Sequence, residues 1–161
     1  MATKQERFEA LLAEHAGVVF RVARTYAHHP EDLQDLAQEI RVQLWRGFPK
    51  YDARRPFATW MYRIALNVAI SWRRKASHLS RRSLALDDVP DLATSTDFGD
   101  EARVANRILE ELDPLNRALL LLYLEDLSYA EIGEVLGITP NNVATKISRL
   151  KDRFRKTAQE G

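Results

Sequence analysis

The sequence predicts an all-α protein: two small helical domains joined by a flexible acidic linker, with a helix-turn-helix in the C-terminal one. Three observations predict it. Apolar residues recur at three- and four-residue steps through both ends of the chain. Between those ends, Ala76–Ala102 has no sustained periodicity and is rich in Ser, Thr, Asp and Pro. Residues 128–140 hold, in close order, the start and stop signals of one short helix and the start of another.

The first helix is marked by Phe8, Leu11, Leu12, His15, Val19, Val22 and Tyr26 on one amphipathic face. His28-His29-Pro30 interrupts it, because proline cannot continue a helix but suits the first turn of the next. The second helix places Leu33, Leu36, Ala37, Ile40 and Leu44 on one face and ends at Gly47 and Pro49, before a basic loop, Lys50–Pro56. A third helix follows, with Phe57, Trp60, Met61, Ile64, Val68 and Trp72 expected inward, and runs out near Lys75. The first domain is therefore residues 1–75. Residues 76–102 are too long for a loop inside a compact domain and form the linker.

The second block, residues 103–161, opens near Arg103 with Val104, Ile108, Leu109 and Leu112 aligned. Asp113-Pro114 caps and restarts the chain, and Leu115–Leu124 is so apolar that burial among several neighbours is expected. Ser128 and Glu131 form a capping box, in which each side chain satisfies an orphan backbone donor. Gly137 caps the short helix Tyr129–Leu136, and Thr139-Pro140 opens a longer one reaching about Lys156. Short helix, tight glycine turn and longer helix make a helix-turn-helix.

Composition narrows the function. Hydrophobic residues make up 45% and charged residues 29%, the profile of an ordered, soluble chain. The absence of cysteine removes disulfide scaffolds, thiolate zinc sites and cysteine nucleophiles, and suits a reducing compartment. The longest apolar run, Ala118–Leu124, is far short of the ~20 residues of a membrane span. The N-terminus alternates charge rather than presenting a signal core, so the expected location is cytoplasmic, without membrane insertion. The net charge of +1 hides an uneven distribution: residues 1–75 carry 13 basic against 8 acidic groups, and residues 138–161 carry 6 against 2. Between them, Leu84–Glu101 has no Lys or Arg. Separated basic surfaces are the footprint of a protein touching a polyanion at two places.

In the last helix, Val143, Ile147, Leu150 and Phe154 fall on one stripe. Asn141, Asn142, Thr145, Lys146, Arg149 and Arg153 lie opposite. A recognition helix sets its N-terminal side chains against base edges, where Asn suits adenine and Arg or Lys guanine, while later basic residues suit phosphates. In the third helix, Arg63, Asn67, Ser71 and Arg74 form a polar stripe beside the aromatic one, with Arg54 and Arg55 before it. Aromatic and basic residues side by side fit single-stranded nucleic acid, but from these residues alone a core of Phe57, Trp60 and Trp72 with a solvated arginine rim is the favoured reading. On the second helix, Asp32, Asp35, Gln38 and Glu39 share the polar side, but neither Glu31 nor Glu39 has the following His of a helical di-metal site. A protein-docking face is the better use. His15 is expected in the core, His28 and His29 in a loop and His78 in the linker. There is no Gly-rich phosphate loop, H-E-x-x-H, G-x-S-x-G or triad, so no enzyme, cofactor or metal is expected.

Three stretches together resemble bacterial RNA polymerase sigma factors. Pro30-Glu-Asp-Leu-Gln-Asp-Leu-Ala-Gln-Glu-Ile40, followed by Leu44-Trp45, resembles the segment that docks on polymerase. Phe57-Ala-Thr-Trp60-Met-Tyr-Arg63-Ile-Ala-Leu-Asn67-Val-Ala-Ile70 resembles the promoter-melting segment, and Leu127-Ser-Tyr-Ala-Glu-Ile132 through Leu150 the C-terminal helix-turn-helix. With only two such domains and a linker, the layout resembles the extracytoplasmic-function (ECF) subgroup. The resemblance implies a transcription initiation factor. Asp35, Gln38 and Glu39 would contact the β′ clamp helices of core RNA polymerase. Arg54, Arg55, Trp60, Arg63, Asn67, Ser71 and Arg74 would serve the minus-10 element, and the loop Gly47–Pro56 would help capture a base flipped from the non-template strand. Asn141, Asn142, Thr145, Lys146, Arg149 and Arg153 would read minus-35 DNA. Other implied partners are the β flap and an anti-sigma factor, and the acidic linker would thread toward the RNA exit path. The free chain is expected to bind promoter DNA weakly. The rival reading is a stand-alone helix-turn-helix regulator, which predicts a two-fold dimer and a palindromic operator.

Overall fold

The computed structural model describes the backbone of residues 1–83 and 107–160, and the side chains of residues 1–76 and 107–159. All regular structure among the described residues is helical. Contacts divide the chain into two units, Met1–Glu111 and Leu112–Gly161.

In the first unit, α1 (Lys4–Glu14), α2 (Val18–Tyr26) and α3 (Pro30–Gly47) lead through a 3-10 turn, Phe48–Lys50, to α4 (Phe57–Ser83). The apolar spacing of residues 8–26 predicts one helix, but the chain makes two. Gly17 takes a φ of 97°, a left-handed conformation that glycine adopts without strain, and this ends one helical run and starts the next. α3 begins as predicted at Pro30, and Glu31 and Asp32 in its first turn complement the helix dipole. Its buried face is Leu36, Ala37, Ile40 and Leu44. α2, α3 and α4 pack against one another around Val22, Tyr26, Leu36, Ile40, Leu44, Met61 and Leu66, all 2% exposed or less.

The face that α4 buries differs from the expected one. Phe57 and Met61 are in the core, but Trp60, Ile64, Val68 and Trp72 are only half-buried, and Tyr62, Ala65, Leu66 and Ala69 go inside instead. Small residues at 65 and 69 admit close approach to α2 and α3, so the helix rolls toward them and leaves the tryptophans on its flank. α4 also stays helical to Ser83, past the predicted end near Lys75, since neither Gly nor Pro occurs in between to stop it. The acidic stretch Leu84–Glu101 and the expected start near Arg103 with Val104 lie outside the described residues, as does the side chain of His78. His15 is half-buried, its Nδ1 3.0 Å from the Leu11 carbonyl and its ring 5.3 Å from Phe57. His28 is an exposed residue between α2 and α3, with Nε2 3.9 Å from Glu110 Oε1.

The second unit contains α5 (Pro114–Leu124), α6 (Tyr129–Leu136) and α7 (Pro140–Glu160). Asp113 caps α5 by accepting from Asn116 N at 2.7 Å. Leu119, Leu122, Ile132 and Val143 are fully buried where the three helices meet. The all-round burial expected of α5 does not occur: Leu115 is 39% and Leu124 66% exposed, because within this unit α5 packs on α6 and α7 from one side. Arg117, which no apolar pattern marks, is buried and donates from Nη2 to the Leu112 carbonyl at 3.3 Å.

Candidate nucleic-acid interface

The helix-turn-helix is assembled from local bonds. Ser128 Oγ accepts from Glu131 N at 3.1 Å, and Glu131 Oε1 accepts from Ser128 N at 3.2 Å. Gly137 adopts a φ of 74° and, with Ile138, donates its N–H to the Gly133 carbonyl. Thr139 Oγ1 then accepts from Asn142 N at 3.1 Å, starting α7. With Val143, Ile147 and Leu150 buried, Asn141, Asn142, Thr145, Arg149 and Arg153 stand exposed, and Lys146 is half-buried beside them. These six occupy one arc of roughly 140° on the helix. Thr145 Oγ1 donates to the Asn141 carbonyl at 3.0 Å. Lys151 is drawn the other way: its Nζ sits 4.9 Å from the centre of the Tyr123 ring, and the Tyr123 side chain raises its pKa.

On α4, Trp60, Arg63, Asn67, Ser71 and Arg74 fall within roughly 80° of one another. Four of them are exposed, and Trp60 is half-buried against the rings of Tyr51 (5.1 Å), Phe57 (5.2 Å) and Phe48 (6.3 Å). Thus Phe57 is a core residue, while Trp60 stands at the border of core and surface. Asn67 lines a shallow cavity of about 360 Å³ with Ile64 and Val68 of α4, Lys50, and Gln43, Arg46 and Gly47 from the end of α3. Ser71 and Arg74 lie one and two turns farther along the helix. The contribution of Gln43 and Arg46 was not expected. Their signal is the spacing Glu39, Gln43, Arg46, which carries the polar face of α3 down to the cavity.

The loop before α4 holds Arg54 and Arg55, both exposed. Asp52 Oδ1 accepts from the N and Nε of Arg54, at 3.0 and 3.1 Å, and Oδ2 from its Nη2 at 3.2 Å. These bonds lower the carboxyl pKa. The Tyr51 hydroxyl donates to the Arg55 carbonyl at 2.7 Å, and burial together with the Asp52 charge raises its pKa.

On α3, Asp35, Gln38 and Glu39 are exposed on the face opposite the core, and Glu39 Oε1 accepts from Gln43 Nε2 at 3.0 Å. Among the described residues there is no cluster of potential metal ligands, and no helix is long and apolar enough to cross a membrane.

The family model Sigma-70 region 2 matches residues 11–79, and that of Sigma-70, region 4 matches residues 103–154. Together they span well over half of the chain. The ECF RNA polymerase sigma factor SigW of Bacillus subtilis (strain 168) is 26% identical, in an alignment covering 97% of this chain and 91% of SigW. Two solved structures share the fold. CnrH, in complex with the cytosolic domain of CnrY, gives a TM-score of 0.69 at 22% identity, covering 97% of this chain and 90% of CnrH. The sigma factor RpoE of Bartonella quintana, in complex with the anti-sigma factor NepR, gives 0.74 at 18% identity, covering 95% and 97%. A stand-alone helix-turn-helix regulator would leave the match of residues 11–79 without a purpose. Region 2 followed by region 4 in one chain makes this protein an ECF member of the Sigma-70 family, a transcription initiation factor that directs RNA polymerase to promoters.

Proposed function

We propose that the two domains divide initiation between them. Residues 1–75 dock on the β′ clamp helices through Asp35, Gln38 and Glu39 and open the minus-10 element. Residues 76–102 cross the polymerase as an acidic linker, and residues 103–161 hold minus-35 duplex and the β flap. The observation that carries this reading is the shared use of α3: its exposed face begins at Asp35 and ends in the cavity that Gln43, Arg46 and Asn67 line. A polymerase subunit on one end of that face stands beside DNA at the other.

Melting needs no catalysed step. A base leaving the duplex costs a few kcal/mol, and a pocket that stacks and hydrogen-bonds the base offsets this. The cavity supplies amide donors and acceptors from Gln43 and Asn67 and cationic donors from Arg46 and Lys50. Trp60, Arg63, Asn67, Ser71 and Arg74 track the separated strand, combining a ring surface with phosphate-pairing charge. Asn141, Asn142, Thr145, Lys146, Arg149 and Arg153 read minus-35 DNA in the major groove. The chain is not an enzyme, acts in the cytoplasm where polymerase works, and is held in check by an anti-sigma factor, as CnrH and RpoE are found with CnrY and NepR.

Run-off transcription tests the reading. The chain is combined with sigma-free bacterial core polymerase and genomic promoter fragments, with an Asp35→Arg variant alongside. Discrete start sites that disappear with the variant are expected. No chain-dependent transcripts, together with stable duplex binding in the absence of polymerase, would refute it.

A further inference from the structure

The loop between the 3-10 turn and α4 is wired more tightly than a basic DNA-contacting loop requires. Tyr51 N donates to the Phe48 carbonyl at 3.0 Å, Arg55 N to the Asp52 carbonyl at 3.0 Å, and the Tyr51 hydroxyl to the Arg55 carbonyl at 2.7 Å. The Tyr51 ring is wedged among Phe48, Phe57 and Trp60, at 6.0, 5.3 and 5.1 Å. One side chain therefore ties both ends of the loop to the aromatic cluster at the start of α4. The two arginines are also unequal. The guanidinium of Arg54 is forked onto Asp52, and that pair carries no net charge toward a phosphate. The Arg55 side chain lies exposed beside it.

We propose that Tyr51 is a positioning residue: its hydroxyl and the Asp52 carboxylate latch this loop in its strand-receiving form, leaving Arg55, and not Arg54, as the loop's phosphate contact. The inference rests on strand capture by the first domain. Its physical basis is preorganisation. A loop already fixed has no ordering entropy left to lose when the strand arrives. An arginine hydrogen-bonded to Asp52 releases little counterion when a phosphate approaches, whereas Arg55, which feels the Asp52 charge only through space, releases about 0.7 on a single strand.

The test uses holoenzyme formed from the full chain and core polymerase, titrated with a fluorescent single-stranded non-template minus-10 oligonucleotide over a range of salt. Arg55→Gln is expected to reduce the slope of log K against log salt by about 0.7, the value of one single-strand phosphate contact. Arg54→Gln should change it by much less, and Asp52→Asn should steepen it by a similar amount because Arg54 is released. Tyr51→Phe keeps the ring and loses only the hydroxyl. It should weaken strand binding by about twofold to tenfold while leaving core affinity and minus-35 duplex binding unchanged. Equal slope changes for Arg54→Gln and Arg55→Gln, or wild-type strand affinity in Tyr51→Phe, would overturn the latch. Wild-type holoenzyme with no affinity for the strand would instead remove strand capture itself, and the latch with it.

Discussion

A Cβ on Gly133 would stand 2.6 Å from the carbonyl oxygen of Ile138, closer than two such atoms can lie. The backbones of α6 and the turn touch here because only a hydrogen separates them, and the Gly133 carbonyl receives the N–H groups of both Gly137 and Ile138. Gly133→Ala gains up to ~1 kcal/mol of helix propensity. It must also push the turn away from α6, at about 1–3 kcal/mol for overpacking. Net destabilisation of the second unit is expected in urea unfolding, with weaker minus-35 duplex binding by holoenzyme. A variant as stable as wild type would show that the turn yields freely.

That contact also shows what a sequence conceals. Ser128, Glu131, Gly137, Thr139 and Pro140 are local signals, each acting within four residues, so the order of residues alone spells out the helix-turn-helix. Gly133 is not legible in that way, because its reason is a carbonyl five residues away across a turn. The same distinction separates Gly17, whose apolar neighbours keep helical spacing straight through a break, from Pro30, which announces its own. On α4 the periodicity marks an apolar flank correctly but misplaces its centre. Ala65 and Ala69 carry little hydrophobic weight, yet both are fully buried. For the site, Asn67 and Arg63 are readable as a stripe. Gln43 and Arg46 join them only once the end of α3 is seen to lie beside residues 64–68 of α4.

Gly47 lines that cavity with ordinary helical backbone. A Cβ there would lie 3.2 Å from Ile64 Cδ1, the far end of a flexible side chain. Such a Cβ asks the Ile64 tip to shift by a few tenths of an ångström, and a longer side chain takes open space from the cavity. Gly47→Leu is expected to leave core-polymerase affinity intact and to abolish promoter opening, read as lost permanganate reactivity of unpaired thymines. Opening at the wild-type level would mean the flipped base goes elsewhere.

The loop latch has a pH window whose two edges follow from opposite shifts. The Asp52 carboxyl is lowered, so its contribution is complete above the ordinary aspartate value of ~3.9 and is lost as pH falls through the lowered one. The Tyr51 phenol is raised, so its contribution is complete below the ordinary value of ~10 and is lost as pH rises through the raised one. The amide resonances of Arg54 and Arg55 should therefore hold constant shifts through the neutral range and move only at the two extremes. A titration centred near neutral pH would contradict this.

On α7 the two arginines of the proposed reading face, Arg149 and Arg153, are expected to have separate tasks, set by position along the helix. Arg149 lies about 13 Å from Pro140 and Arg153 about 6 Å farther on, by the rise of 1.5 Å per residue. A recognition helix reads bases with its N-terminal part, so only the nearer arginine remains within the groove. Arg149→Gln should cost about 1–3 kcal/mol on the preferred minus-35 sequence and almost nothing on one changed at the base it reads. Arg153→Gln should weaken every sequence alike and lower the salt slope by about 0.9, the value of one duplex phosphate. Holoenzyme binding to a panel of singly substituted minus-35 duplexes separates the two. If Arg153→Gln relaxes specificity at one base pair, the helix enters the groove farther than this geometry assigns.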